Sequence, residues 1–215
     1  MADALQPSGC FDQSVVLHNV SWETYERLLS ERRKSGNPRL NYDQGSLEIM
    51  ILSLQHERLQ HTLATLVELL AHERGLDVEG MGAAAFRRAD MARGFEPDAC
   101  FYFSQAARMR ARDEIDLTVD PAPDLVIEVD LTPFSLNKLL IFAALGVNEI
   151  WWYDGRQLTV CILDGEEYQE YPESRVLAGL SAARLTELLL DSRLLTRRVW
   201  VEQVRQAAAE PGANR

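Results

Sequence analysis

The chain has 215 residues, with 22 Lys and Arg against 33 Asp and Glu, a net charge of −11 and a sequence pI near 4.9. With 47% hydrophobic and 26% charged residues its composition is that of an ordinary globular protein of one large domain, residues 1–215, and it excludes a disordered or collagen-like chain. The acid excess argues against a surface coated in positive charge for indiscriminate nucleic-acid or anionic-membrane binding, yet it leaves room for a local basic groove.

Cys10, Cys100 and Cys161 are odd in number and far apart, without CxxC spacing, so neither a disulfide framework nor a thiolate zinc site is expected. The N-terminus carries no basic segment followed by an apolar run, and no apolar stretch reaches membrane-spanning length. A cytoplasmic protein without a membrane anchor is the expectation.

After a polar leader, Ser21 is placed to cap a helix that begins Trp22-Glu23-Thr24-Tyr25, and Gly36, Asn37 and Pro38 stop it. Arg39 to Tyr42 and Ser46 to Leu52 flank a turn at Asp43-Gln44-Gly45, which predicts a hairpin. From Gln55 to Arg74, Leu59, Leu63, Leu66, Val67 and Leu70 recur every three or four residues, the stripe of an amphipathic helix that His56 begins and Gly75 ends. Residues 77–86 are Gly- and Ala-rich and give no clear pattern.

Ala99 to Phe103 and Leu125 to Leu131 are compact apolar runs of the kind found in interior strands. A helix is predicted over Phe134 to Leu145, with Thr132 as cap, Pro133 at its first position and Gly146 as stop; Glu149 to Tyr153 follows as a strand. Strand, helix and strand across 124–153 make a right-handed parallel crossover, whereas the hairpin and the strands 157–163 and 167–171 look antiparallel. The expected fold is therefore α/β, a mixed central sheet flanked by helices, with an N-terminal helix-hairpin and one or two C-terminal helices over 181–206.

Acids inside apolar strands stand out, because an unpaired buried carboxylate is costly. Alternation puts Asp124, Glu128 and Asp130 on one face of their strand, and Asp98 lies at the mouth of the 100–103 strand, opposite Glu128 if the two strands are neighbours. Converging carboxylates share a proton or hold a hard divalent ion such as Mg²⁺. Of only two lysines, Lys138 sits ten positions after Glu128 in an otherwise apolar stretch, from which its ammonium can reach back over the strand end.

Glu96-Pro97-Asp98-Ala99-Cys100-Phe101-Tyr102, Pro123-Asp124-Leu125-Val126-Ile127-Glu128-Val129-Asp130, Lys138, and Ala143 to Trp151 resemble, block by block and in order, a bacterial family of restriction-endonuclease-like proteins in the PD-(D/E)XK superfamily. Leu47 to Met50 and His56-Glu57 extend the likeness to about residues 20–195. The resemblance implies a restriction-endonuclease-like core and a metal-dependent endonuclease acting on nucleic acid, most simply DNA, with Mg²⁺ or Mn²⁺ as cofactor. It assigns Asp98 and Glu128 as metal ligands, Lys138 as the basic residue of the motif that stabilises the transition state, and His56 with Glu57 to the helix that closes the site. Asp130 stands where the superfamily lysine would be, and is either a further metal ligand, a partner for Lys138, or a mark of lost catalysis.

The alternative is a catalytically inactive nuclease fold that binds nucleic acid or protein. His61 and His72 have no ligand spacing with His56, so zinc is not expected. Trp151, Trp152 and Phe101 to Phe103 are assigned to packing. Arg87, Arg88, Arg93, Arg108, Arg110 and Arg112 flank the Asp98 strand and either contact phosphates or balance local acids. A homodimer is expected by analogy with nucleases that cut two strands.

Overall fold

The computed structural model describes residues 12–32, 37–132 and 136–210. Two sheets face each other through a shared apolar layer. The first is antiparallel and five-stranded, in the order β1 (Gln13–Leu17), β3 (Ser46–Ile51), β2 (Arg39–Asp43), β6 (Arg93–Phe95), β5 (Phe86–Arg88). The second has six strands in the order β11 (Glu167–Tyr171), β10 (Leu158–Asp164), β9 (Glu149–Tyr153), β8 (Leu125–Val129), β7 (Ala99–Tyr102), β4 (Glu79–Gly80).

The mixed sheet exists as expected, with β8 and β9 its parallel pair and the β9–β10–β11 meander antiparallel. The separate five-stranded sheet was not expected. Its edge strand β1 has exposed side chains at four of five positions, so the apolar alternation that betrays a strand is missing. The hairpin β2–β3 turns through Gln44 and Gly45, whose φ angles of 44° and 97° make the two-residue turn whose twist suits antiparallel strands.

Helix α1 (Trp22–Glu31) starts at Ser21, whose hydroxyl accepts from Thr24 N at 3.2 Å, and α2 (Leu54–Glu73) is capped likewise by Ser53 to His56 N. The short α3 (Ala106–Met109) follows β7. The crossover helix is shorter than expected: α4 (Lys138–Ala144) has Asn137 at its cap, while Pro133 to Ser135 fall outside the described residues. Gly146, with φ 81°, ends it as expected. The C-terminal pair is α5 (Ala182–Asp191) and α6 (Arg197–Ala209). No described helix is long and apolar enough to cross a membrane.

The two faces of the six-stranded sheet do different work. Leu125, Ile127 and Val129 pack with Trp151, α2, α5 and α6. Cys100, Tyr102, Val126 and Ile150 pack instead with Phe86 and Phe95 of the five-stranded sheet and with Ile141 and Phe142 of α4. Glu128 shares the face of Val126, and Asp98 that of Cys100, so both acids turn into the layer between the sheets. Trp151 and Phe101 are core residues, as assigned.

Candidate active site

The site grows from one register. Strands β7 and β8 are antiparallel with Ala99 opposite Ile127, so one step further Asp98 lies opposite Glu128, on a shared face. Both are buried, Glu128 to 2% exposure. Asp98 Oδ2 accepts from Val129 N at 2.8 Å. Parallel pairing with β9 then brings the chain through the crossover to α4, whose first residue, Lys138, places Nζ 2.8 Å from Glu128 Oε2.

Helix α2 delivers His56 from the other side. Its Nδ1 lies 2.8 Å from Asp12 Oδ2, and its Nε2 stands 2.8 Å from Asp98 Oδ1. That second approach is off the N–H axis, so it is a charge contact more than a directed hydrogen bond. Asp12 also accepts from Ser53 N at 2.7 Å, tying the residues before β1 to the start of α2.

The five-stranded sheet adds three buried polar groups on one face. Arg39 Nη2 lies 4.0 Å from Asp98 Oδ1 and donates to Gln60 at 3.3 Å; Asn41 Nδ2 donates to Glu48 at 3.1 Å. The charge of Glu48 is felt by both Lys138 and Asp130.

Electrostatics divides these groups. For Asp98, burial raises the pKa, but the close contact with His56 and the charges of His56, Lys138 and Arg39 outweigh it and hold the carboxyl below its usual range. Burial pushes Glu128 up to about 7, with Lys138 opposing and Asp98 reinforcing. Burial likewise raises Asp130 to about 6 against Lys138 and the Thr132 backbone. His56 would be lowered by burial, yet its bond to Asp12, its contact with Asp98 and the charges of both acids carry it to about 10. Lys138, similarly desolvated, is raised by Glu128 and Asp98. Within the Glu128–Lys138 pair burial pushes the carboxyl up while Glu128 and Asp98 hold the ammonium charged.

Five acids (Asp12, Glu48, Asp98, Glu128, Asp130) thus gather with three cations (Arg39, His56, Lys138) at one end of the layer between the sheets, all of them buried except Asp130, which is half-buried. All the acids are hard oxygen donors, so the residue types fit Mg²⁺ or Mn²⁺. Among the described residues no three His, Cys, Asp or Glu groups already stand at ligand distances; Lys138 and His56 hold the carboxylates instead.

Asp98, Glu128, Lys138 and His56 are therefore brought together, with Asp130 at the end of β8 beside them. Glu57 is not: it is exposed on the outward side of α2. Asp124, on the face of Glu128 by alternation, is taken up at the far end of β8 by Phe103 N, Ser104 N and Ser104 Oγ. Asp12 and Arg39 escaped sequence reasoning, the first in an apparent leader, the second as one more alternating polar residue in a short strand. The flanking arginines stand against acids, Arg88 on Asp90, Arg93 on Asp43, and Arg108 and Arg112 on Asp120.

A solved structure of a "putative nuclease belonging to DUF820" from Anabaena variabilis ATCC 29413 is similar in fold, at TM-score 0.53 and 17% identity, over 79% of this chain and 99% of that one. No curated protein matches the chain. Residues 22–197 match the Uma2 family, described as "Putative restriction endonuclease". A nuclease-like fold, a buried site of paired carboxylates and a match across most of its length agree: this chain belongs to the Uma2 family.

Proposed function

We propose that the protein is a metal-dependent endonuclease that hydrolyses phosphodiester bonds in nucleic acid, with DNA as substrate and Mg²⁺ or Mn²⁺ as cofactor. The observation that carries this reading is the register-paired, buried Asp98 and Glu128 with the Lys138 ammonium between the strands and the crossover helix beside them. Asp98 and Glu128 would hold the ion, with Asp130 available at the strand end. When bound, the ion supplies Lewis acidity for the phosphate and a lowered pKa for the attacking water.

The remaining chemistry belongs to the chain. Lys138 keeps a desolvated ammonium beside the carboxylates, where it stabilises the charge that develops on phosphorus oxygens. His56, gripped by Asp12, keeps Asp98 ionised and oriented. Glu57, facing outward, has no part in it. The protein works in the cytoplasm, as a homodimer if both strands of a duplex are cut; light scattering reads the mass.

Incubation of supercoiled plasmid with the protein and Mg²⁺ or Mn²⁺ tests the reading. Cleavage is expected, and Asp98→Ala or Glu128→Ala should remove it while circular dichroism stays unchanged. Cleavage that survives both substitutions rejects the assignment. A second reading has its own support: Lys138 and His56 already occupy the carboxylates, as an inactive binding module would require. Titration calorimetry separates the two, since only the nuclease should bind Mn²⁺ and lose it in Asp98→Ala.

A further inference from the structure

Arginines on this acidic chain are mostly neutralised. Around β5, β6 and α3, Arg87, Arg88, Arg93, Arg108, Arg110 and Arg112 each stand 2.6–3.4 Å from a carboxylate. Arg58 on α2 and Arg193 just beyond α5 fall outside that pattern, as do Arg74, Arg156, Arg175, Arg197 and Arg198 among the described residues. Arg58 and Arg193 are both exposed, and neither forms an ion pair among the described residues.

These two arginines line one cleft of about 780 Å³, together with Gln55, Thr62 and Ser192. Leu54, 64% exposed, lies in the same cleft, and Leu194, 81% exposed, adjoins Arg193. The cleft has polar donors, two uncompensated cations and an apolar contact, which together suit a chain carrying regular negative charge and flat apolar groups. The single acid along it is Glu57.

Its position matters as much as its charge. The first turns of α2 send His56 inward to Asp98, and Leu54, Arg58 and His61 outward to the cleft. The two faces of a helix are about 10 Å apart, and a nucleic acid duplex carries one phosphate charge per about 1.7 Å of axis. A bound strand long enough to reach the site therefore has phosphates to spare for the cleft.

We propose that the cleft between the start of α2 and the end of α5 is a docking surface for the nucleic-acid backbone, in which Arg58 and Arg193 pair with phosphates that flank the cleavage site. Nucleic acid as the polyanion rests on the nuclease reading; the surface itself does not require turnover.

Fluorescence anisotropy with a labelled 20-base-pair duplex, in EDTA and on the Asp98→Ala background, isolates docking from cleavage. Arg58→Glu with Arg193→Glu should weaken binding about 10-fold or more and lower the slope of log affinity against log salt by roughly 2, one per lost phosphate contact. Glu57→Gln should tighten binding, and Arg27→Glu on α1 should leave it within twofold. If the double reversal unfolds, Arg58→Gln with Arg193→Gln carries the same prediction at smaller size. Binding and salt slope unaltered in a folded double variant overturn the inference, as does no duplex binding at all, or equal competition by polyglutamate. Loss of cleavage in the plasmid assay with docking intact would sink the nuclease reading and leave this one standing.

Discussion

Glu128 and Glu149 are buried glutamates on adjacent parallel strands, and they are held in opposite ways. Glu149 accepts from Trp151 Nε1, Ser174 Oγ, Arg175 N and Val176 N at 2.6–3.1 Å, four neutral donors that fill both oxygens. Among the described residues Glu128 is held by a single ammonium at 2.8 Å, and it is pushed towards protonation by burial and by Asp98. A carboxylate saturated by neutral donors is a structural tie, anchoring the 174–176 loop to β9. One held by a lone cation among other acids is poised to exchange that cation for another ligand.

Breaking both carboxylates gives the largest contrast. Glu149→Ala strands two backbone N–H groups, a hydroxyl and an indole N–H in a closed layer, each costing about 1–3 kcal/mol when left unsatisfied. A loss of about 4 kcal/mol in urea unfolding is expected, with metal binding by the surviving folded protein unchanged. Glu128→Gln should behave inversely, with stability altered by less than about 1.5 kcal/mol while Mn²⁺ binding and cleavage vanish. Equal stability loss in the two variants would erase the distinction between them.

A double-mutant cycle on the Glu128–Lys138 pair sharpens it. Lys138→Met leaves several acids without their shared cation and should destabilise by about 3 kcal/mol, as removal of one partner of a buried pair does. Adding Glu128→Met should recover most of that loss, because two apolar groups of similar size need no compensation. Non-recovery would mean that Lys138 stabilises chiefly through Asp98, Glu48 or Asp130.

How much of this was legible beforehand depends on the residue. Amphipathic α2, the β2–β3 hairpin and the parallel β8–β9 pair announce themselves because their burial has a period, and Asp98 and Glu128 stand out as acids in apolar runs. Glu149 is equally an acid in an apolar run, and nothing in Glu149-Ile150-Trp151-Trp152-Tyr153 says that a loop 25 residues later will saturate it. Asp12 and Arg39 were hidden for the same reason: their partners, His56 and Asp98, are 44 and 59 positions away, and pairing at that range leaves no local pattern. Strand β1 was invisible because its side chains face water.

The smallest effect is in the pH dependence of the protein without metal. Glu128 titrates near 7 in the folded state against 4.5 ordinarily, so between those values the folded protein holds a proton that the unfolded chain has released. Stability from this group is therefore greatest below about pH 4.5 and declines as pH rises to about 7, and Asp130, raised to about 6, adds to the same slope. Glu128→Gln should flatten the decline. Metal binding inverts the sense: Mn²⁺ must displace those protons, so its affinity should weaken as pH drops below 7, with proton release visible as a buffer-dependent enthalpy in calorimetry. Affinity independent of pH between 5 and 8 would place the ion away from Glu128, and the contrast with Glu149 would then describe two ties rather than one tie and one ligand.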